Sequence, residues 1–163
     1  MKLKKKIDFF IHTAFQIKSD KFNLEEYNEL NFQGVLNSLN FCKEKNIKYV
    51  FLSSYVYGSP KYLPIDINHP TNPHNNYAKV KLSCEKLCKK YMDVFKLNSI
   101  ILRLFNIYGN GQKEGYIFPD ILKQIENNKV YIKKMNSKRD YLHVNDLVEL
   151  VKKIILKNFN GYN

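Results

Sequence analysis

Two short, dense apolar runs constrain the fold of this chain more than any other feature of its sequence. Ile47–Leu52 and Ser99–Leu104 each contain a single charged residue, and such runs are typical of strands buried on both faces of a parallel sheet. Asn23–Lys45 and Asn76–Phe95 have apolar residues at helical spacing instead. Helix and strand alternate, and this order predicts an α/β fold built on a doubly wound parallel sheet.

Weaker patterns predict the other elements. They are a strand at Ile7–His12, a helix at Ile117–Asn127, a strand at Val130–Lys133 and a helix at Asn145–Lys157. Ser53–Asn75 holds four of the five prolines and is predicted to be a long loop, whereas Asn106–Gly115 is predicted to be a turn-rich loop. Gly34 is expected to be a close-packing point in the first helix. We expect one domain over residues 1–163, because this length suits a single domain and no linker interrupts it.

The composition limits the classes of protein to which the chain can belong. No stretch approaches the roughly 20 apolar residues of a membrane helix, and three cysteines argue against a disulfide framework. A basic N-terminal segment followed by an apolar one imitates a secretory signal, but Asp8 and His12 interrupt the apolar part. We therefore expect a cytoplasmic protein in a reducing compartment.

The net charge of +12 indicates an anionic partner, or else scattered and solvated lysines. With 12 Tyr and 11 Phe, a basic nucleic-acid-binding module that stacks bases on aromatic rings is an alternative function from another class. No recognised nucleic-acid motif supports it, and most aromatic residues fall at predicted core positions. Four scattered histidines, and a Cys84–Cys88 pair without a second ligand pair, predict no metal site.

A tyrosine and a lysine four residues apart open the second long helix. This spacing places the Tyr77 phenol and the Lys81 ammonium on one helix face. A phenol with a reference pKa of about 10 is not a base at neutral pH, but a nearby ammonium stabilises the phenolate and lowers that pKa. The pair could then remove a proton from a sugar hydroxyl as hydride departs. The alternative is a packed ring beside an amine that reaches solvent.

Polar residues follow the predicted strands at their carboxyl ends, where ligands bind in open α/β sheets. Ser53 and Ser54 follow the first dense run, and either hydroxyl could hydrogen-bond the substrate oxygen that Tyr77 deprotonates; alternatively, both begin a turn. Asn106 follows the second dense run. Arg139 could clamp a diphosphate with two hydrogen bonds, or it could be a solvated surface charge.

Four motifs stand in a fixed order along the chain. They are Ser53-Ser54-x-Val56-Tyr57-Gly58, Tyr77-x-x-x-Lys81, Arg103-x-x-Asn106-x-Tyr108-Gly109 and Arg139-Asp140-Tyr141-x-His143-Val144-x-Asp146. As a set they resemble the NAD-dependent epimerase/dehydratase family of the extended short-chain dehydrogenase/reductase superfamily, whose members act on nucleotide sugars. Ala14 and Asn31 fit earlier segments of the family, and the resemblance covers nearly the whole chain, although each motif alone has low specificity.

The resemblance implies a role for each reactive residue. Tyr77 is expected to be the catalytic base and acid, and Lys81 is expected to bind the nicotinamide ribose and to lower the pKa of Tyr77. Ser53 or Ser54 is expected to hydrogen-bond the reacting hydroxyl. Counting back from Tyr57 favours Ser53, whereas counting forward along the strand favours Ser54, so both stay candidates.

The resemblance also implies which residues bind cofactor and substrate. Ala14 and Phe105 are expected to line the cofactor beside the reactive pair, and this cofactor is expected to be NAD in preference to NADP. Asn106 and Arg139 are expected to contact the diphosphate of a nucleotide-sugar substrate. Elements of a substrate-binding domain are therefore expected within about residues 106–146. No metal is implied.

The chain departs from the family pattern at both ends. The family begins with a strand, a Gly-rich turn and a helix that hold the NAD pyrophosphate, and the sequence has no such unit. Its first strand resembles the family's fourth, so roughly sixty residues are expected to be missing in front, and Gly161–Asn163 resembles a strand after which more should follow. The expected fold is a partial Rossmann-like sheet that binds NAD weakly or not at all. We expect this chain alone to be inactive, as a fragment or as a piece that needs a complementing chain.

Within the family, the resemblance favours 4-epimerisation of a UDP- or dTDP-sugar by transient hydride transfer. Dehydratases of the family typically carry an acidic pair after the strand-end hydroxyl, where this chain has Ser54 and Tyr55. A nucleotide-sugar dehydratase and a 4-keto reductase stay alternatives. The family often dimerises through two helices, which here are Asn23–Lys45 and Asn76–Phe95, so a homodimer is a further expected partner.

Overall fold

Both dense apolar runs are strands of one three-stranded parallel sheet. The central strand β2 (Lys48–Ser54) pairs with β1 (Phe9–His12) on one side and with β3 (Ser99–Leu104) on the other. Its side chains alternate between the two faces of the sheet, and Tyr49 and Phe51, on the same face, are fully buried. Consecutive parallel strands need a crossover, and a long helix supplies each one.

The helix between β1 and β2, α1 (Leu24–Lys45), starts and stops at asparagines. The Asn23 side chain accepts a hydrogen bond from the Glu26 backbone N–H, and the Glu26 carboxylate accepts one from the Asn23 backbone N–H. This reciprocal capping box satisfies two of the N–H groups that a helix start leaves without partners. Asn46 ends the helix in the left-handed region at φ 53°, a conformation that asparagine tolerates better than most residues.

The helix between β2 and β3, α2 (Asn76–Phe95), begins with a single cap. The Asn75 side chain accepts a hydrogen bond from the Ala78 backbone N–H, which fixes the first turn of the helix. Both helices pack on the sheet around one apolar core. Its fully buried members are Val35, Leu39, Cys42, Tyr49, Phe51, Cys84 and Cys88. The three thiols are thus core groups, and burial raises the pKa of Cys84 to about 11.

The computed structural model describes residues 6–17, 23–125, 130–132 and 138–157. Backbone contacts divide the chain after Leu104 into two compact units, and the sheet described above belongs to the first. The predicted α/β class with parallel strands is confirmed. The prediction of one domain over residues 1–163 stays a prediction, because the structure describes each of the two units by itself.

The second unit holds two very short strands and two helices. Strand β4 (Asn106–Tyr108) pairs in parallel with β5 (Tyr141–His143), and the helices are α3 (Ile117–Ile125) and α4 (Val144–Leu156). The rings of Tyr108, Phe118 and Tyr141 pack together, with the Tyr108 and Phe118 rings stacked 4.5 Å apart. This aromatic cluster joins both strands to α3.

Three sequence predictions differ from this structure. The loop expected at Asn106–Gly115 begins with strand β4, because its backbone pairs with a segment more than 30 residues away. The strand expected at Val130–Lys133 is wrong at 130–132, where the backbone is irregular; Lys133 lies outside the described residues. Gly34 is not a close-packing point, because no described atom outside its chain neighbours and the adjacent helix backbone lies within 4 Å of the position that a Cβ would take.

Within the described ranges, no helix combines the length and the apolarity that crossing a bilayer requires. The same residues contain no group of three or more His, Cys, Asp or Glu side chains arranged to hold a metal ion.

Candidate active site

Tyr77 and Lys81 lie one turn apart at the start of α2, above the carboxyl end of β2. The Lys81 Nζ atom lies 5.7 Å from the centre of the Tyr77 ring and donates a 2.7 Å hydrogen bond to the backbone carbonyl of Leu52. The amine is therefore held against the strand end, and the half-buried phenol ring stands beside it. The first unit thus brings together the two residues that the sequence pairs.

Lys81 is an unusually buried lysine. Only 4% of its surface is exposed, and its Nζ atom lies 3.8 Å from the Phe15 ring centre and 4.9 Å from the Phe51 ring centre. Burial lowers the pKa of Lys81 to about 8, because the charged form loses its hydration. The faces of the two rings replace part of that hydration through cation–π attraction.

Phe15 lies in the segment that follows β1, and its ring packs edge-on against Tyr77 at 5.4 Å between centroids. Asn31 of α1 holds the backbone directly after it. The Gln16 backbone N–H donates a 2.8 Å hydrogen bond to Asn31 Oδ1, and Asn31 Nδ2 donates to the Gln16 carbonyl at 3.3 Å. Asn31 also donates to the carbonyl of Tyr27 within its own helix, so all three bonds fix its side chain.

The two candidate serines are in different environments. The Ser53 hydroxyl is buried and donates a 2.6 Å hydrogen bond to Glu85 Oε1 on α2. Ser54 is the last residue of β2, and side chains of successive strand residues point to opposite faces. Ser54 is only half-buried. Ser53 thus points to the face of β2 on which α2 packs, the helix of Tyr77 and Lys81, and its oxygen can still accept a hydrogen bond, whereas Ser54 lies on the opposite face. Both serines stay candidates for contact with a ligand.

Glu85 is the centre of a buried ionic network that sequence reasoning missed. Arg103 donates to both carboxylate oxygens of Glu85, with a closest Nη2–Oε2 distance of 2.7 Å, and its Nη1 atom donates to the Tyr57 hydroxyl at 3.2 Å. Burial works against the charged form of Arg103, but the hydrogen bonds to Glu85 and Tyr57 raise its pKa. The signal in the sequence was an acid one turn after Lys81 and a lone arginine inside an apolar strand.

The network ties four parts of the first unit together. Ser53 is at the end of β2, Tyr57 is in the loop after it, Arg103 is near the end of β3, and Glu85 is on α2. The side chain of Glu85 is 1% exposed and that of Arg103 is 18% exposed. Because Tyr77 and Lys81 share α2 with Glu85, this anchor also sets the distance of the reactive pair from the strand ends.

A second buried network lies at the end of β1. Ser38 of α1 donates a hydrogen bond to the Val35 carbonyl and contacts His12 Nδ1 at 3.0 Å and the Tyr49 hydroxyl at 2.9 Å. Burial lowers the pKa of His12, so the imidazole favours its neutral form. Beside it is an open cavity of about 540 Å³ whose lining includes Ala14.

The remaining predicted site residues lie in the second unit. The Asn106 side chain donates a 2.9 Å hydrogen bond to the Asp140 carbonyl, which links β4 to the segment before β5. Arg139 is exposed, and its Nη1 atom contacts the Lys138 carbonyl at 3.2 Å. Phe105 is half-buried at the boundary. The roles expected of these three residues, and of Ala14 in the first unit, stay predictions.

Comparison with known proteins gives one consistent answer. The model of the NAD dependent epimerase/dehydratase family matches residues 1–163. A putative UDP-glucose 4-epimerase of Methanocaldococcus jannaschii is 34% identical over 155 residues, which cover 89% of this chain and 51% of that protein. A dTDP-D-glucose 4,6-dehydratase of Dictyostelium discoideum is 32% identical, with 97% of this chain and 40% of that protein covered.

Solved structures share the fold as well. The UDP-N-acetylglucosamine 4-epimerase of Methanobrevibacter ruminantium M1, in complex with UDP-N-acetylmuramic acid, superposes with a TM-score of 0.80 at 28% identity. The match covers 95% of this chain and 53% of that structure. This chain therefore spans about half the length, or less, of the proteins described above.

Proposed function

The chain belongs to the NAD-dependent epimerase/dehydratase family, and from this premise we propose that it contributes the catalytic pair of an enzyme that epimerises a nucleotide sugar at C4. The observation that carries the proposal is the position of Tyr77 and Lys81, with ring centre and amine 5.7 Å apart at the carboxyl end of β2. That end of a parallel strand is where ligands bind in open α/β sheets.

The roles of the residues follow from their chemistry. Tyr77 takes the proton of the sugar 4-hydroxyl and later returns it, and the Lys81 ammonium favours the phenolate form that this step needs. Ser53 or Ser54 hydrogen-bonds the same sugar oxygen and keeps it in line with the phenol. Ser53 is favoured, because its side chain points to the face of β2 on which α2 packs, the helix that carries Tyr77.

NAD is the cofactor that the family implies, and the described residues fit its ribose end. Lys81 carries three N–H donors, of which Leu52 accepts one, so it can donate to ribose hydroxyls. When bound, NAD supplies a reversible acceptor for the hydride of the sugar carbon. In the sequence, residues 13–23 between β1 and α1 contain no glycine, so this segment has no Gly-rich motif for binding a pyrophosphate.

This division of the cofactor site supports the expectation that the chain works with a complementing segment. The described residues supply groups for the ribose and for the sugar, and the pyrophosphate needs a further unit. Such a unit could be part of a longer protein that contains this chain or could be a separate chain. A homodimer through α1 and α2 stays a family-based proposal.

A dehydratase or a 4-keto reductase of the same family is the alternative. The position next to Ser54 is taken by Tyr55, whose hydroxyl donates a 2.6 Å hydrogen bond to the Gly58 carbonyl. A phenol fixed in this way is not the acid–base pair that elimination of water requires. This favours epimerisation or keto reduction over dehydration. A nucleic-acid-binding role has less support, because rings such as Tyr27, Tyr49 and Phe51 are core residues rather than stacking surfaces.

The test is to assay interconversion of UDP-glucose and UDP-galactose with NAD. The chain is measured alone and co-expressed with the N-terminal half of the Methanocaldococcus jannaschii relative. We expect activity only in the complemented form, and Tyr77→Phe should lower its kcat about 10²- to 10⁴-fold. Tyr91→Phe is the matched control, because Tyr91 is on the same helix but far from the carboxyl ends of the strands. Full activity of the Tyr77→Phe variant would contradict the proposal.

A further inference from the structure

The Phe15 ring packs against both residues of the reactive pair. Its ring centre lies 3.8 Å from Lys81 Nζ, and its ring contacts Tyr77 edge-on at 5.4 Å. It is therefore in contact with both members of the pair at once. We propose that Phe15 is the residue that determines access to the Lys81 amine: its ring covers the amine until a ligand displaces it.

The geometry of the amine supports this role. One N–H of Lys81 is used by the Leu52 carbonyl, and the Phe15 and Phe51 rings lie over the ammonium within 5 Å. A ligand hydroxyl needs one of the directions that a ring now covers. Phe51 is fully buried in the core and cannot yield without a cavity, whereas Phe15 is only half-buried. Of these two rings, Phe15 is the one that can move.

The backbone limits how Phe15 moves. Asn31 holds both the N–H and the carbonyl of Gln16, the next residue, so the segment cannot swing away without breaking two hydrogen bonds. Rotation of the Phe15 side chain about χ1 keeps both bonds. The cover therefore opens by a rotamer change, and rotamer changes of partly exposed side chains are fast compared with loop movements.

The cover also selects the kind of ligand. Displacing the ring removes a cation–π contact from Lys81 and an aromatic contact from Tyr77, so the incoming molecule has to replace both. A ribose-linked aromatic heterocycle does so, because it offers hydroxyl groups for the amine and a flat ring for the phenol. This last step rests on the proposed function, but the covering of Lys81 does not.

The test is the acylation rate of Lys81 by a small water-soluble acetylating reagent, measured by peptide mass spectrometry. The rate is divided by that of Lys79, an exposed lysine of the same helix. One alkaline pH above the Lys81 pKa is used for all variants, so that access rather than protonation decides the ratio. Phe15→Ala should raise the Lys81:Lys79 ratio about tenfold, and Phe15→Tyr, which keeps the ring, should leave it unchanged.

Two controls distinguish exposure of the Lys81 amine from unfolding of the protein. Phe41→Ala removes a partly buried ring of α1 that packs on Phe10, and it should leave the ratio unchanged. Cys84 and Cys88 should stay unreactive to a thiol reagent in every folded variant. An unchanged ratio in a folded Phe15→Ala protein overturns the proposal. Where that variant does not fold, the wild type decides: no nuclear Overhauser effect between the Phe15 ring and the Lys81 side chain also overturns it.

Calorimetry with NAD reports on the proposed function separately. If the complemented wild type and its Phe15→Ala variant both fail to bind NAD, the proposed function loses its support, while the acylation ratio still decides the role of Phe15. If both bind, Phe15→Ala should bind at least as tightly, because no ring has to be displaced. Weaker binding by Phe15→Ala than by Phe15→Tyr would contradict the selection of ligands by displacement.

Discussion

The Ser53 hydroxyl donates a 2.6 Å hydrogen bond to the carboxylate of Glu85, although the two residues are 32 positions apart in the sequence. The bond joins the end of β2 to the third turn of α2, beside the amine of Lys81. It also shows which of two adjacent serines faces α2, because side chains of successive strand residues point to opposite faces.

The variants Ser53→Ala and Ser54→Ala should therefore have different effects on stability and on activity. We expect Ser53→Ala to lower the free energy of unfolding by about 1–3 kcal/mol, since a buried carboxylate loses a donor. Ser54→Ala should change stability by less than about 0.5 kcal/mol. Of the two variants, Ser53→Ala is the one that should lower kcat of the complemented enzyme, about a hundredfold. Urea denaturation and single-turnover assays measure the two effects. A loss of kcat in Ser54→Ala but not in Ser53→Ala would assign the catalytic hydroxyl to Ser54.

Removing one partner of the buried ion pair should be more harmful than removing both. Glu85→Gln is expected to destabilise the protein by about 3–5 kcal/mol, because Arg103 keeps its charge in a partly buried place. The double variant Glu85→Met with Arg103→Met should be more stable than Glu85→Gln. Chemical denaturation of each variant gives the comparison.

The exposed ion pair between Glu114 and Lys123 is the control for this prediction. Its nitrogen–oxygen distance of 2.9 Å is close to that of the buried pair, but both side chains are more than half exposed. Glu114→Gln should change the free energy of unfolding by less than about 1 kcal/mol. An equal loss for Glu85→Gln and Glu114→Gln would show that burial does not decide the strength of this interaction.

Lys81 should make stability depend on pH in a defined direction. Its folded pKa of about 8 lies below its ordinary value of 10.5, so the unfolded chain binds more protons between these two pH values. The contribution of Lys81 to the free energy of unfolding should thus be most unfavourable below pH 8 and should be relieved as pH rises towards 10.5. The shift corresponds to about 3 kcal/mol.

Comparison with Lys81→Met isolates this contribution from the other titrating groups. The difference in unfolding free energy, variant minus wild type, should be most positive near neutral pH and should shrink by about 3 kcal/mol towards pH 10.5. Denaturation curves of both proteins across this range measure it. A difference that does not change with pH would mean that Lys81 titrates normally in the folded state.

Two glycines should respond to alanine in opposite directions. Gly58 has φ +71°, and a Cβ there would overlap with the carbonyl oxygen of Asn72, so Gly58→Ala should cost about 3 kcal/mol. Gly34 lies inside α1 with open space around it, and Gly34→Ala should stabilise the protein by about 0.5–1 kcal/mol. Thermal or urea denaturation measures both. A destabilising Gly34→Ala would mean that other parts of the chain pack on this position.

The sequence predicted the parallel sheet of the first unit well, because dense apolar runs and long amphipathic helices leave few other arrangements. Helix α2 has the predicted bounds, and α1 differs by one residue at its start. The strands β4 and β5 could not be found in this way. Each has three residues, and a strand that short has no measurable periodicity, so only its distant partner defines it.

The sequence predicted which residue types form the candidate site, but it did not predict where their side chains point. The i, i+4 spacing brought Tyr77 and Lys81 to one helix face, as local geometry requires. The choice between Ser53 and Ser54 depended on which face of β2 meets Glu85, and this is set by packing of α2 rather than by the strand itself. Phe15 was not identified, since its contacts join segments more than 60 residues apart.

Helix α2 has a consequence for protein engineering. It presents Tyr77, Lys81 and Glu85 on three successive turns, between an asparagine cap at one end and a left-handed residue at the other. A chimera that takes this segment from another family member would transfer the reactive groups together with Glu85 and the helix caps that hold them in place. The host would have to retain an arginine equivalent to Arg103. Recombination at Asn75 and Lys96 should therefore be tolerated. A crossover within the segment would instead separate the reactive pair from Glu85.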